Sequence, residues 1–269
     1  MKKLNLHLIS DSTGETLGAI SRAVMSQFNN VETSEYMWSL VRTEARLRQI
    51  LENVKENGGI VLYTILNEKL LNILLSECRK NRITAIAALD DVINKFSNHI
   101  GQKIVQKSGR QHVLDEDYFD RVEAINFTIN HDDGQKNEDL DEADIILVGP
   151  SRTSKSPTCA YLSHRGFKAA NVPFIHGVEL PEILFEVKKP YIVGLTINPD
   201  ILIQIRTNRI KFLNQEIKSD NSYLALDNVR EEIIAAKKIY LQQKWPIVDV
   251  SRKSIEETAA LIIQKYYER

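Results

Sequence analysis

The chain has 269 residues, 43% of them hydrophobic and 26% charged, with 35 basic against 36 acidic side chains and a formal net charge of −1. That composition suits a globular protein of one large or two modest domains, and the balanced charge gives no general attraction to nucleic acid or anionic membrane. No apolar run approaches the roughly 20 residues of a membrane span. The start, Met1-Lys2-Lys3-Leu4, lacks the apolar core of a signal peptide. Two cysteines, Cys78 and Cys159, and six scattered histidines allow neither a disulfide framework nor a clustered metal site. A cytoplasmic protein with reduced, packed cysteines is expected.

In chain order, Leu4 to Ile9 reads as a strand, Glu15 to Phe28 as a helix and Glu35 to Trp38 as a short strand. Thr43 to Glu56 carries apolar residues at helical spacing and stops at Gly58-Gly59; Ile60 to Ile65 is a strand. Glu68 to Lys80 is a helix, Ile83 to Leu89 an apolar run, and Asp90 to His99 another helix. After a less regular stretch, Asp115 to Asn130 reads as a helix and His131 to Glu142 as an acidic surface loop. Asp144 to Val148 is a buried strand. A helix is expected from Pro157, where a missing N–H does no harm, ending at Gly166. Phe167 to Ile175 and Tyr191 to Ile197 follow as strands, with a short helix at Pro181 to Val187 between them. Asn198-Pro199 opens a helix carrying Arg206 and Arg209. Asp227 to Gln243 is a long helix, Pro246 to Val250 the last strand, and Ser254-x-x-Glu257 a capping box for the last helix. Strands alternating with helices predict an α/β protein: two open, mainly parallel sheets covered by helices, with domains near 1–110 and 111–269.

The second half carries the most chemical stretch, Gly149-Pro150-Ser151-Arg152-Thr153-Ser154-Lys155-Ser156. It follows a strand and precedes a helix, the order of the phosphate-binding P-loop G-x-x-x-x-G-K-[ST]. Backbone N–H groups and a helix N-terminus would converge on phosphate oxygens. Lys155 would add charge, and Ser156 a hydroxyl for Mg²⁺. Ser154 stands where the second glycine belongs; if the loop needs φ > 0 there, serine is a poor substitute. Arg152 could grip a phosphate bidentately. The bland alternative is a Ser/Thr-rich turn that caps a helix.

The same stretch, continuing through Gly166-Phe167-Lys168-Ala169-Ala170-Asn171-Val172-Pro173, resembles the bifunctional regulatory proteins of pyruvate, phosphate dikinase and of phosphoenolpyruvate synthase. The resemblance extends to Ser10-Asp11-Ser12-Thr13-Gly14-Glu15-Thr16, to Tyr118-Phe119-Asp120-Arg121-Val122-Glu123, to His131-Asp132-Asp133-Gly134 and to Asp249-Val250-Ser251 with Ser254-Ile255-Glu256-Glu257-Thr258. It departs at Pro150, where valine is usual, at Ser156, where threonine is usual, and at Asn126, where an acid is usual. The resemblance implies an enzyme that phosphorylates a threonine of the dikinase with ADP as donor, inactivating it, and removes that phosphate with inorganic phosphate, releasing pyrophosphate; the same chemistry on phosphoenolpyruvate synthase is the alternative. It also implies a homodimer. The residues alone support nucleotide-phosphate binding and phosphoryl transfer, so a small-metabolite kinase and a nucleotide sensor without turnover stay open.

Phosphoryl transfer to a hydroxyl needs a carboxylate to orient it or take its proton. Asp132 and Asp133, in a turn that leads into the strand before the loop, are the candidates; an ordinary Asp-Asp-Gly turn is the alternative. Asp249, ending the last strand, is the candidate Mg²⁺ ligand beside Ser156. Ser10 to Glu15, at the first strand's carboxyl edge, is a weaker second site, with Ser12 and Glu15 placed to form a capping box. Arg206 and Arg209 could share a phosphate; a solvated basic stripe is the more usual outcome.

Overall fold

The computed structural model describes residues 2–104, 116–212 and 223–269. The chain divides into two compact units, Met1–Val113 and Leu114–Arg269. Both are α/β, each with a four-stranded parallel sheet.

The first unit contains β1 (Lys2–Ser10), α1 (Glu15–Met25), β2 (Val31–Trp38), α2 (Glu44–Asn57), β3 (Ile60–Thr64), α3 (Glu68–Lys80), β4 (Thr84–Ala87) and α4 (Asp90–Ile100). Its strand order is β2-β1-β3-β4. Strand alternation sends Ile9, Val61 and Tyr63 to one face, where they pack with Leu47, Ile50 and Leu51 of α2 and Leu70 and Leu74 of α3. Leu6, Leu8 and Leu62 go to the other, where they meet Leu17 of α1. Among the described residues this second face is thinly covered: a cavity of ≈ 540 Å³ lies between Leu6, Leu62 and Ile86 and the α1 flank of Ile20 and Val24. β2 is longer than the sequence suggests, because its polar residues Glu32 to Glu35 pair along an edge whose faces are mostly solvated.

The second unit contains α5 (Glu116–Asn130), a 3₁₀ turn at Asn137–Glu142, β5 (Ile145–Pro150), α6 (Lys155–His164), β6 (Ala169–Phe174), α7 (Ile183–Glu186), β7 (Tyr191–Thr196), α8 (Pro199–Phe212), α9 (Leu226–Gln242), β8 (Ile247–Asp249) and α10 (Ile255–Tyr267). The expected start of α5, Asp115, lies outside the described residues. The strand order is β6-β5-β7-β8. Here both faces are buried: Ile145 and Leu147 belong to the cluster with Leu162, Ala259 and Ile262, and Ile146 and Val148 to the cluster with Ala236 and Tyr240. That is why β5 reads as an unbroken apolar run.

The capping box at Ser254 and Glu257 is present, and Asn198 Oδ1 accepts from the N–H groups of Asp200 and Ile201. Three local expectations are corrected. α6 starts at Lys155, two residues before Pro157, because Ser154 serves as its left-handed N-cap. The segment after His131 is no simple surface loop; its 3₁₀ turn buries Leu140 against the sheet core. At α1, no Ser12–Glu15 capping box forms, since Gly14 in the left-handed region is the N-cap.

Candidate active site

In a sheet of order β6-β5-β7-β8, the chain leaves β5 on one side and β7 on the other, so the crevice beyond their carboxyl ends is where an open α/β sheet binds ligands. The loop Ser151–Ser154 leaves β5 at that point. Gly149 admits it: a Cβ there would come within 2.9 Å of Thr153 Oγ1 and 3.1 Å of the Leu195 carbonyl. Thr153 is fully buried, and its hydroxyl donates to the Pro150 carbonyl at 2.9 Å. Arg152 (φ 73°) and Ser154 (φ 60°, ψ 26°) are both left-handed, with Thr153 between them outside that region. Alternation of this kind turns successive N–H groups toward one concavity, the geometry of an anion nest. Ser154 therefore follows the path a glycine would take, at a cost of about 1 kcal/mol. The N-terminus of α6 ends at the same place, and no side chain caps it.

Lys155 is buried, its Nζ 3.0 Å from the Pro150 carbonyl. Burial lowers its pKa to about 8, against the opposing pull first of Asp133 and then of other nearby acids. Lys155 lines a cavity of ≈ 250 Å³ together with Asp133, Ser151, Arg152, Ser154, Ser156 and Ile205 among others.

Asp133 reaches this cavity because the turn after α5 is sewn to β6. Gly134 N–H donates to the Asn171 carbonyl at 2.8 Å, and Asn171 N–H to the His131 carbonyl at 3.0 Å. His131 is buried against Phe127, with one ring nitrogen 2.7 Å from the Phe127 carbonyl and the other 2.7 Å from Asp139 Oδ1. The Asn171 amide nitrogen, with two hydrogens to share, then lies within hydrogen-bond distance of Asp132 Oδ1 (2.5 Å), Ser156 Oγ (3.0 Å) and Asp133 Oδ1 (3.2 Å). Asp133 is itself left-handed (φ 51°), and it is the member of the pair that lines the cavity.

A family model described as kinase/pyrophosphorylase matches residues 6–263. The chain belongs to that family. It is 49% identical to a Caulobacter vibrioides protein over 96% of this chain and 82% of the relative, and 45% identical to one of Erythrobacter litoralis over 100% and 96%. A third relative, from Sphingopyxis alaskensis, is 45% identical over 100% of this chain and 99% of its own length. All three are named as a candidate pyruvate, phosphate dikinase regulatory protein.

In this kinase/pyrophosphorylase chain the residues singled out by sequence divide clearly. Ser151, Arg152, Ser154, Lys155, Ser156 and Asp133 come together around one cavity, with Gly149, Pro150 and Thr153 shaping the loop from beneath. Asp132 lies beside them, on the Asn171 amide. Asp249 does not join them. It lines a separate cavity of ≈ 360 Å³ with Asn198, Ser251, Arg252 and Lys253, and its carboxylate accepts from the Ser251 N–H at 2.8 Å. The reason is topological: Asp249 ends β8, which is separated from β5 by β7. Arg206 and Arg209 part company too. Arg206 is buried, whereas Arg209 is exposed. Asn171 was not foreseen as a site residue, although one amide in the apolar strand Ala-Ala-Asn-Val-Pro-Phe is a readable signal.

Proposed function

We propose that this chain phosphorylates a threonine of pyruvate, phosphate dikinase with ADP as donor, and removes that phosphate with inorganic phosphate as acceptor. The supporting observation is the convergence of Lys155, Ser156, the left-handed loop and the Asp133 carboxylate on one cavity. Lysine, loop and helix N-terminus favour an anion. A carboxylate would only repel that anion, so its presence there is explained if it handles a proton. The relatives' names supply the target and favour the dikinase over the synthase.

In the kinase direction the threonine oxygen bonds to the β-phosphorus of ADP, the bridging oxygen leaves with AMP, and Asp133 takes the hydroxyl proton. In the second reaction an oxygen of inorganic phosphate bonds to the phosphothreonine phosphorus. The bond to threonine breaks, pyrophosphate leaves, and Asp133 returns a proton to the threonine oxygen. Lys155 and the loop N–H groups hold the phosphates in both. The cavity holds the phosphate end of a nucleotide rather than the whole molecule, since its ≈ 250 Å³ is below the usual range for a complete ligand site. Ser156 Oγ, on the cavity wall, would supply one oxygen to a hard cation that keeps several waters and binds chiefly through substrate phosphates. Mg²⁺ bound there would neutralise charge developing on the transferred group. Asp249 takes no part in that site.

The test is incubation with β-labelled ADP and purified dikinase, synthase or neither. Label on a dikinase threonine, released as pyrophosphate when phosphate is added, is the expected result. Transfer only to a small metabolite, or tight binding without transfer, would replace this reading with a metabolite kinase or a sensor.

A further inference from the structure

The loop is held from behind by a buried ion pair. Arg206 of α8 has its side chain 2% exposed, and Nη2 lies 2.8 Å from Glu232 Oε2 on α9. The same nitrogen donates to the Ser151 carbonyl at 3.2 Å, and Nη1 donates to the Tyr223 carbonyl at 3.1 Å. The Tyr223 ring covers the guanidinium at 4.1 Å, and its hydroxyl is 3.4 Å from Ser151 Oγ. Arg206 is not among the residues lining the cavity, although its neighbour Ile205 is.

We propose that Arg206 is a positioning residue for the loop, aimed by Glu232 and Tyr223; this rests on the phosphate-binding reading given above. A trans peptide is planar, with its C=O and N–H on opposite sides. Fixing the Ser151 carbonyl on the guanidinium therefore turns the Arg152 N–H away from Arg206, toward the cavity that Ser151 and Arg152 line. Glu232 cancels the charge of Arg206, so the brace adds a strong, charge-assisted hydrogen bond without competing with Lys155 for the phosphate. A lysine could keep the pair with Glu232, but a single ammonium cannot span Glu232, the Tyr223 carbonyl and the Ser151 carbonyl in the fixed geometry of the fork.

The test compares wild type with Arg206→Lys, Glu232→Gln and the double replacement Arg206→Met/Glu232→Met, which removes the pair while filling its space. ADP and inorganic phosphate are titrated by calorimetry, melting temperatures are recorded, and KM for ADP is separated from KM for the protein target. Arg206→Lys and the double variant are expected to lose about tenfold in ADP affinity. KM for the target should stay unchanged and the double variant should melt close to wild type. Glu232→Gln, which leaves an acceptor but not its charge, should fall between. A folded Arg206→Lys or double variant that binds ADP as wild type does overturns the brace alone. A wild-type protein that binds neither ADP nor phosphate overturns the phosphate reading and the brace with it.

Discussion

The two units share a strand plan and differ in what their first βα-loop carries. β2-β1-β3-β4 and β6-β5-β7-β8 are the same order, so each has its crevice beyond the ends of its first and third strands. In each, the helix after the first strand starts from a left-handed residue without a side-chain cap, Gly14 (φ 85°) in one and Ser154 (φ 60°) in the other. In the first unit Asp11, at the end of the first strand, is buried and accepts the Leu66 N–H at 2.9 Å, while Ser10 Oγ accepts from the Thr64 hydroxyl and the Ser12 N–H. In the second unit the corresponding loop surrounds an open cavity and is followed by Lys155. Topology thus gives both units a crevice at the same place, and their loops furnish it differently: a buried aspartate in the first, a buried lysine at an uncapped helix start in the second.

The largest test of this difference is on catalysis. Asp133→Asn is expected to lower threonine phosphorylation by about 100-fold or more, the usual contribution of a positioned base. Asp132→Asn should cost less, because that carboxylate sits on the Asn171 amide and outside the cavity. Asp11→Asn, in the first unit, should leave phosphotransfer unchanged in a folded protein; radiolabel transfer reads all three. A comparable loss in Asp11→Asn alone would reverse the roles of the two units.

Nucleotide affinity should separate them next. Lys155→Ala is expected to weaken ADP binding at least about tenfold by calorimetry, through loss of a charged contact of roughly 2 kcal/mol. Affinity should also depend on pH. The free lysine titrates near 8 because it is buried, and a bound phosphate raises that value by stabilising the ammonium. Binding is therefore full below about pH 8 and declines above it, by up to about tenfold per pH unit until the pKa of the bound state is reached. Above pH 8 binding should take up a proton, visible as buffer-dependent enthalpy. A profile flat from pH 7 to 9.5 would remove Lys155 from the site.

The smallest effects concern the paired left-handed caps. Gly14→Ala should destabilise the protein by about 1–2 kcal/mol, since the new Cβ meets Met37 Sδ at 2.7 Å in a backbone region L-residues avoid. Ser154→Gly should stabilise it by up to about 1 kcal/mol in chemical denaturation, by relieving the same strain. A clear shift at one position and none at the other would show that the two helix starts are not equivalent.

The parallel strands, the helices between them, the loop before Lys155 and the turn at Asp132 and Asp133 were legible because each is a local pattern of spacing, apolar run or turn chemistry. Within the pair of aspartates, the sequence offered no choice. The Asn171 bonds to the turn backbone hold the turn against β6, and Asp133 is the one of the pair that lines the cavity. Arg206 looked like half of a basic stripe because i,i+3 spacing records only position on a helix; its burial depends on Glu232, 26 residues away. Asp249 looked like a metal ligand because it ends a strand. The sequence alone does not state the order of strands in a sheet, and that order places β7 between Asp249 and the loop. The sequence by itself determined the elements and the chemical groups they carry. The tertiary structure decided which of those groups meet, because contacts between strands and between distant helices depend on pairing and packing that no local pattern encodes.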